Sequence, residues 1–285
     1  MRARGRLLRA ALCLAAVFAV AGIALVGFAY WEAAGRDPIV RRASVVVADW
    51  PKGAKPVTVL LVSDTHVAGP DMPPDRLVRL VEQLNGLKPD LVLLAGDYIS
   101  HKRFATRYYS IADAVAPLSH FKAPLGTIAV LGNHDHAAGA RAFTDAIHAS
   151  GITLLSNQAL KRGPLIIGGA DDAFSGHADL KRLGDALGEL GPGPRLLLTH
   201  TPDIARALPF KVSAVLAGHT HCGQIDLPLI GMPAQDGHAF QWLPCGEVAM
   251  QNMSLFVAAG LGTSIAPLRF GAPPDVWLIR FGPRP

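Results

Sequence analysis

Five times along this chain an apolar run stops at a side chain suited to hold a cation. Val57-Thr58-Val59-Leu60-Leu61-Val62 leads into Ser63-Asp64-Thr65-His66, and Asp90-Leu91-Val92-Leu93-Leu94-Ala95 leads into Gly96-Asp97-Tyr98. Thr127-Ile128-Ala129-Val130-Leu131 leads into Gly132-Asn133-His134-Asp135, and Arg195-Leu196-Leu197-Leu198-Thr199 leads into His200-Thr201-Pro202. Val212 to Leu216 leads into Ala217-Gly218-His219-Thr220-His221-Cys222-Gly223-Gln224. Short apolar runs bounded by turn residues read as buried strands. In α/β sheets, ligands gather at the carboxyl ends of strands. Five such ends meeting at one place leave few folds open.

Taken one at a time these signals are weak. A single buried Asp or Asn at a strand end is more often a cap or a turn residue, and Thr199-His200-Thr201-Pro202 also reads as a strand end before a helix. His219 and His221, with glycines on both sides, make a poor packing element and a good ligand element. Neutral imidazole is the commonest metal ligand, and glycine lets backbone and ion approach closely. The order of the set gives it weight.

That ordered set, Asp-x-His, Gly-Asp, Gly-Asn-His-Asp, His, Gly-His-x-His, resembles the calcineurin-like metallophosphoesterases over roughly residues 57 to 265. The resemblance implies an α/β fold of two packed mixed β-sheets flanked by helices. It also implies a centre of two divalent metal ions about 3.5–4 Å apart. One metal would take Asp64, His66, Asp97 and His221, and the other Asp97, Asn133, His200 and His219, with Asp97 bridging. Mixed carboxylate, imidazole and amide donors suit manganese, iron or zinc. A metal-bound hydroxide would attack phosphorus in line. His134 would contact the phosphate and protonate the leaving group, with Asp135 orienting its ring. His136 has no counterpart in that scheme. Tyr98-Ile99-Ser100 follows Gly-Asp where some members carry a further Asp, which removes no ligand. The loops between motifs are short, so no large cap domain is expected, and an open site suits a broad or extended substrate.

The N-terminus has a different character. Ala10 through Tyr30 is 21 residues without a charge, about the length that crosses a bilayer as a helix. Arg2, Arg4, Arg6 and Arg9 precede it and Tyr30-Trp31 close it as interfacial aromatics. A cleaved signal peptide has a shorter apolar core, about 7–15 residues, so an uncleaved anchor is the reading favoured. The arginines should stay in the cytoplasm, which places the rest of the chain outside. The expected organisation is a basic segment over 1–9, an anchor over 10–31, a stalk over 32–56 and a catalytic domain over 57–285. Ala43 to Val47 can add an edge strand. The net charge of +5 comes almost entirely from the four leading arginines. It therefore gives no support to a nucleic-acid surface.

Within the domain, Pro73-Pro74-Asp75 followed by Leu77, Leu80, Val81 and Leu84 reads as an amphipathic helix. It should make the strands before Asp64 and Asp97 parallel. Further helices are expected over about 106–119, 139–149 and 179–190, and strands at 152–155, 165–169, 224–225, 253–258 and 275–281. His101-Lys102-Arg103 reads as a solvated loop in preference to a phosphate contact. His120, His148, His177 and His238 are assigned no role. Cys222 and Cys245 can pair if the domain lies outside the cytoplasm.

Function divides three ways at this level. The first expectation is a membrane-anchored two-metal hydrolase of phosphodiesters or pyrophosphates, its substrate plausibly lipid-linked. The second is a UDP-2,3-diacylglucosamine pyrophosphohydrolase of lipid A synthesis, whose cytoplasmic substrate conflicts with the expected topology. The third, from another class, is a non-catalytic anchored protein binding metal or phosphate. That class should lack ligands or His134, and none is missing here.

Overall fold

A computed structural model describes residues 2–229, 231–232, 245–250 and 252–284, with the side chains of 2–5 left aside. The first element is a long helix, α1 (Arg2–Ala34). It leads into β1 (Ile39–Val46) and β2 (Val57–Val62), then α2 (Pro74–Asn85) and β3 (Leu91–Leu94). A short α3 (Ile111–Val115) runs into a 3-10 turn before β4 (Thr127–Ala129), α4 (Asn133–Ala149), β5 (Thr153–Leu154), β6 (Gln158–Arg162) and β7 (Leu165–Gly169). Then come α5 (Leu180–Glu189), β8 (Arg195–Leu198), β9 (Ala214–Ala217), β10 (Gly246–Met250), β11 (Met253–Val257) and β12 (Asp275–Gly282).

The strands form two six-stranded sheets, in the orders β1-β12-β2-β3-β4-β5 and β10-β11-β9-β8-β7-β6. Their facing sides make one core. Alternation along β2 and β3 explains how. Val59, Leu61, Leu91 and Leu93 point to the other sheet and meet Leu196, Leu198, Leu216 and Phe256. Leu60, Val62, Val92 and Leu94 point to the opposite face, where α2 lays Leu77, Leu80, Val81 and Leu84 against them. Each fully buried Leu or Val side chain contributes about 1.5–3 kcal/mol, so side chains of period two on strands and 3.6 on helices fix the layers together. On the outer face of the second sheet, Leu183 and Leu187 of α5 pack on Ile166, Leu197 and Val215. The expected sandwich with helices outside is the architecture found. β2, β3, β4 and β5 are parallel, as are β7, β8, β9 and β11. The carboxyl ends of β2, β3, β4, β8 and β9 therefore carry the five motifs.

Several boundaries differ from the sequence reading. The stretch taken as a stalk contains β1, which pairs with β12 along eight residues, and Arg41 binds Asp275. This stretch is thus bound into the sheet, and the edge strand is longer than Ala43–Val47. The helix expected over 106–119 is confined to Ile111–Val115 and the following turn, where Ser110 and Asp113 form a capping box. α4 begins six residues before the expected start, at Asn133, and is interrupted at Gly139 (φ 125°). β6 and β10 were not foreseen. His238 lies outside the described residues.

Candidate metal centre

The seven expected ligands come together. Asp97 Oδ2 lies 3.4 Å from His66 Nε2 and 3.3 Å from His200 Nε2, so one carboxylate oxygen stands between the two halves of the cluster. On one side His66 Nε2 faces His221 Nε2 at 3.0 Å, and Asp64 Oδ1 is 3.5 Å from His221 Nε2. On the other, His200 Nε2 lies 3.0 Å from Asn133 Oδ1 and 3.1 Å from His219 Nδ1. Nδ1 of His66 meets the Ile99 carbonyl at 3.2 Å, and Nδ1 of His200 meets the Ala95 carbonyl at 2.8 Å. A carbonyl only accepts, so both rings donate outward from Nδ1 and direct Nε2 inward.

The backbone aims these side chains. Asp64, His66, Asp97, His219 and His221 all have positive φ, between 43° and 72°. Such left-handed turns reverse the chain just past the strand end and cost of order 1 kcal/mol each. Asp64 Oδ2 accepts from the His219 amide at 3.0 Å, which ties the end of β2 to that of β9. Asp97 Oδ1 accepts from the His134 amide at 2.9 Å, which ties β3 to β4. Two glycines make room for these carboxylates: a Cβ on Gly132 would stand 2.2 Å from Asp97 Oδ1, and one on Gly218 2.3 Å from Asp64 Oδ2.

The electrostatics fit cation binding. Burial pushes Asp64 up to about 6, opposed by His200 and aided by the charge of Asp97. Burial would raise Asp97 too, but the imidazoles of His200 and His66 hold it well below the usual carboxylate range. Burial lowers His66 and His221, and lowers His219 to about 4. His200 behaves oppositely: burial would lower it, but Asp97 and Asp64 raise it to about 10. The carboxylates that favour a proton there favour a divalent cation as well, and metal binding would release that proton. Asp64 Oδ1 and His219 Nε2 are buried without a hydrogen-bond partner. An unpaired buried carboxylate oxygen costs about 1–3 kcal/mol or more, so it marks a position built for a partner. Three overlapping groups, Asp64/His66/His221, His66/Asp97/His134 and Asp64/Asp97/His200, each bring their ligand atoms within 4.8 Å of one another. Hard oxygen and imidazole nitrogen donors in these groups fit a pair of divalent first-row ions.

Other residues fall differently from expectation. His134 is near the centre, its ring 4.9 Å from that of His66 and edge-on to it. Asp135 does not orient it. Its carboxylate accepts from the amides of Asp97 (2.8 Å), Tyr98 (2.8 Å) and Gly132 (3.0 Å). As the third residue of α4 it reaches back over the helix start, the usual geometry of a capping acid. Its role is to hold the Gly96–Tyr98 turn. The stretch His101-Lys102-Arg103 is only partly solvated. His101 and Arg103 are exposed, but Lys102 is buried and donates to Asp71 Oδ1 at 2.6 Å and Thr263 Oγ1 at 2.9 Å. His136 binds Asp171 Oδ1 at 2.6 Å and stacks on His177 at 3.9 Å. Arg269, which nothing in the sequence singled out, is buried and donates to the carbonyls of Ala259, Gly260, Gly262 and Ala272. Its guanidinium also stands 3.5 Å from His221 Nδ1. Cys222 and Cys245 form a disulfide beside the centre.

A cavity of about 240 Å³ opens against Asp97, Asn133, His134, His219 and His221. Phe174, Thr220, Gly223, Gln224, Ile225 and Ser264–Ala266 complete the lining. Phe174 leans on the His219 ring at 5.0 Å.

The family model of the calcineurin-like phosphoesterases matches residues 57–223, from β2 to the last histidine of the centre. The chain belongs to the calcineurin-like phosphoesterase family. It is thus a metal-dependent phosphoester hydrolase, of a family that works with a dinuclear divalent centre. It is 32% identical over 244 residues to the uncharacterized metallophosphoesterase YkuE of Bacillus subtilis, covering 79% of each chain. It is 29% identical over 241 residues to the phosphodiesterase YaeI of Escherichia coli, covering 79% of this chain and 82% of that one. A transmembrane protein with metallophosphoesterase domain from Danio rerio is 29% identical over 287 residues, covering 93% of this chain and 60% of that protein.

Proposed function

We propose that this phosphoesterase hydrolyses phosphodiesters, with lipid-linked diesters as its substrate class, from a single membrane-spanning helix and on the outer side of the membrane. The observation that carries the hydrolytic centre is the convergence of six donors around a seventh, the Asp97 carboxylate, with Asp64 Oδ1 buried and without a hydrogen-bond partner among them. Asp64, His66, Asp97 and His221 would hold one ion, and Asp97, Asn133, His200 and His219 the other. When bound, two such ions supply charge neutralisation at the phosphoryl oxygens and an acidified water. The chain's own groups do the rest. Asp135 holds the turn that carries Asp97, and Gly132 leaves room for its carboxylate, which would be shared by the two ions. His134, in the cavity wall, is placed to donate a proton to the leaving oxygen.

The cavity lining supports a diester. Among the described residues its walls carry no Lys or Arg, so the metals and His134 would be the main groups to meet the charge of the phosphate. One negative charge suits such a site better than two. The half-apolar wall suits an organic group on the second ester oxygen. YaeI is named a phosphodiesterase, which agrees.

Three observations support the location. α1 is apolar and long enough to span a bilayer over Arg6–Ala34, and its most apolar window has a mean hydropathy of 2.6 with none of that window buried. The zebrafish relative is named a transmembrane protein. The Cys222–Cys245 disulfide favours an oxidising compartment, in agreement with the leading arginines lying in the cytoplasm. The same disulfide weighs against the cytoplasmic pyrophosphohydrolase reading.

Asp97→Asn tests the centre. The variant should lose bound metal and turnover of bis-p-nitrophenyl phosphate with manganese, iron or zinc. Wild type and variant equally inert with every divalent ion would leave the non-catalytic reading standing.

A further inference from the structure

The last turns of α1 are part of the domain. Ala29 and Ala33 are buried, and Glu32 with them. The Ala29 carbonyl accepts from the Arg269 amide at 2.9 Å, and the Ala33 carbonyl accepts from Arg76 at 2.5 Å. Arg76 also donates to the carbonyls of Arg36 and Asp71. Two arginines from distant parts of the chain therefore hold the end of the helix, and with it the tilt of the domain on its anchor. From Arg6 to Phe28 the helix is exposed at every residue, which is the stretch that lipid would cover.

The anchor and the cavity share a wall. The Phe28 ring meets the Phe270 ring edge-on at 6.0 Å. Phe270 in turn pairs with Ile225, its amide donating to the Gln224 carbonyl at 3.0 Å and its carbonyl accepting from Asp226 at 2.7 Å. Gln224 and Ile225 line the cavity. Paired strands lie about 4.8 Å apart, so the cavity wall stands one strand away from a residue that touches the membrane helix. The adjoining part of that wall, Ser264–Ala266, is tied to it by the Gln224 side chain, which donates to the Ala266 carbonyl at 3.0 Å and accepts from the Ser264 amide at 2.8 Å. The turn that follows Ile225 is closed by Leu227 and Gly231 and carries Leu229 wholly exposed, while Ile265 on the rim is half exposed. An exposed leucine alone means little. This one is at the tip of a turn whose root, Ile225, pairs with the residue that packs against the anchor.

We propose that the bilayer surface is the partner of this face. The Ile225–Gly231 turn and the Ser264–Ala266 rim rest in the headgroup layer, with Leu229 inserted among the acyl chains. The cavity then opens at headgroup level, and its substrate is the phosphodiester of an amphiphile lying in the same leaflet. This rests on the anchored-hydrolase reading above and adds to it how the substrate reaches the site.

The test uses the full chain in phosphatidylcholine vesicles with Mn²⁺ and two substrates sharing one leaving group: soluble bis-p-nitrophenyl phosphate, and a diacylglyceryl p-nitrophenyl phosphate embedded in the vesicles. Leu229→Glu should leave the soluble diester within twofold of wild type and lower the embedded one at least fivefold. Equal rates on both substrates, or a parallel fall on both, would overturn the proposal. A wild type inert on both would instead strike the hydrolase reading. Leu229→Trp gives a readout free of turnover. The emission it adds over wild type should be blue-shifted and lose at least half its intensity in vesicles with brominated acyl chains. Added emission that is red-shifted and unquenched would show Leu229 in water and overturn the insertion.

Discussion

The tightest contact at the centre is between glycine and carboxylate, and it gives the sharpest prediction. A Cβ at residue 132 would lie 2.2 Å from Asp97 Oδ1, 2.7 Å from the Asp97 amide nitrogen and 2.8 Å from Asp97 Cγ. Ordinary contact begins at 3.4 Å, so Gly132→Ala must move the carboxylate or the backbone by about 1.2 Å. The carboxylate cannot swing away freely, because Oδ1 is held by the His134 amide while Oδ2 faces His66 and His200. The backbone cannot yield freely either, since Asp135 binds the amides of residues 97, 98 and 132 together. Overpacking of this kind costs about 1–3 kcal/mol of stability. A displacement of about 1 Å in catalytic machinery costs about 100-fold in rate. Gly132→Ala should therefore fold, melt a few degrees lower, and turn over bis-p-nitrophenyl phosphate about 100-fold more slowly at saturating Mn²⁺. Gly188→Ala is the control: that glycine sits in α5 with nothing within 4 Å, so the change should leave activity alone. Wild-type metal content together with activity within twofold of wild type in Gly132→Ala would show that the close approach to Asp97 does not position the bridge.

His134→Ala should lower kcat by about 10²–10⁴-fold while metal content by elemental analysis stays at the wild-type level, as expected of a proton donor that is not a ligand. Loss of metal in parallel with rate would make it a ligand instead. Cys245→Ser opens a loop with a sequence separation of 23 residues. It should cost about 3 kcal/mol in denaturant unfolding, and a cost below 1 kcal/mol would mean the disulfide constrains little. The His136–Asp171 pair gives a pH signature. Its hydrogen bond to Asp171 raises His136 above 6.5, so that stabilisation is complete below about 6.5 and is lost as pH rises through the raised value. Burial would raise Asp171, but the hydrogen bonds from His136 and Ser156 bring it below 3.8, so its share is lost only in acid. The melting difference between wild type and His136→Gln should be largest near pH 5.5 and shrink by pH 9, and a difference flat across that range would refute the pairing.

The proposed ligand residues were legible because each announces itself locally, as a polar group ending an apolar run. Asp64, Asp97, Asn133, His200 and His219 needed no knowledge of what lies opposite. Where the partner is distant, sequence reading failed. Ile39–Val46 looks like a basic stalk until β12 is placed beside it, 234 residues from Arg41 to Asp275. Lys102 looks solvated because its partners, Asp71 and Thr263, are 31 and 161 residues away. Asp135 is the opposite case. Adjacency to His134 suggested an orienting acid, yet a local signal was available. Gly132 stands at the helix start and Asp135 is three residues later, which is the spacing of a capping acid that turns back toward the strand end.

Backbone strain was invisible in the sequence, and it explains why these strand ends converge. Five of the seven donor residues, Asp64, His66, Asp97, His219 and His221, sit in the left-handed region. Aspartate and histidine tolerate that region better than most side chains. A strand that simply ended would send its next side chain along the strand axis or to alternate faces. A left-handed residue at the end instead turns the chain sharply, so that Asp64 and His66, or His219 and His221, are aimed past the strand end and not onto one face of the sheet. The strain is of order 1 kcal/mol per residue, within what two sheets packed face to face can offset, since each buried leucine of that core contributes about as much or more. The fold therefore does more than collect ligand types at one edge. The rigid sandwich holds the strand ends still enough for strained turns to persist, and those turns direct carboxylates and imidazoles that would otherwise diverge toward the single carboxylate of Asp97.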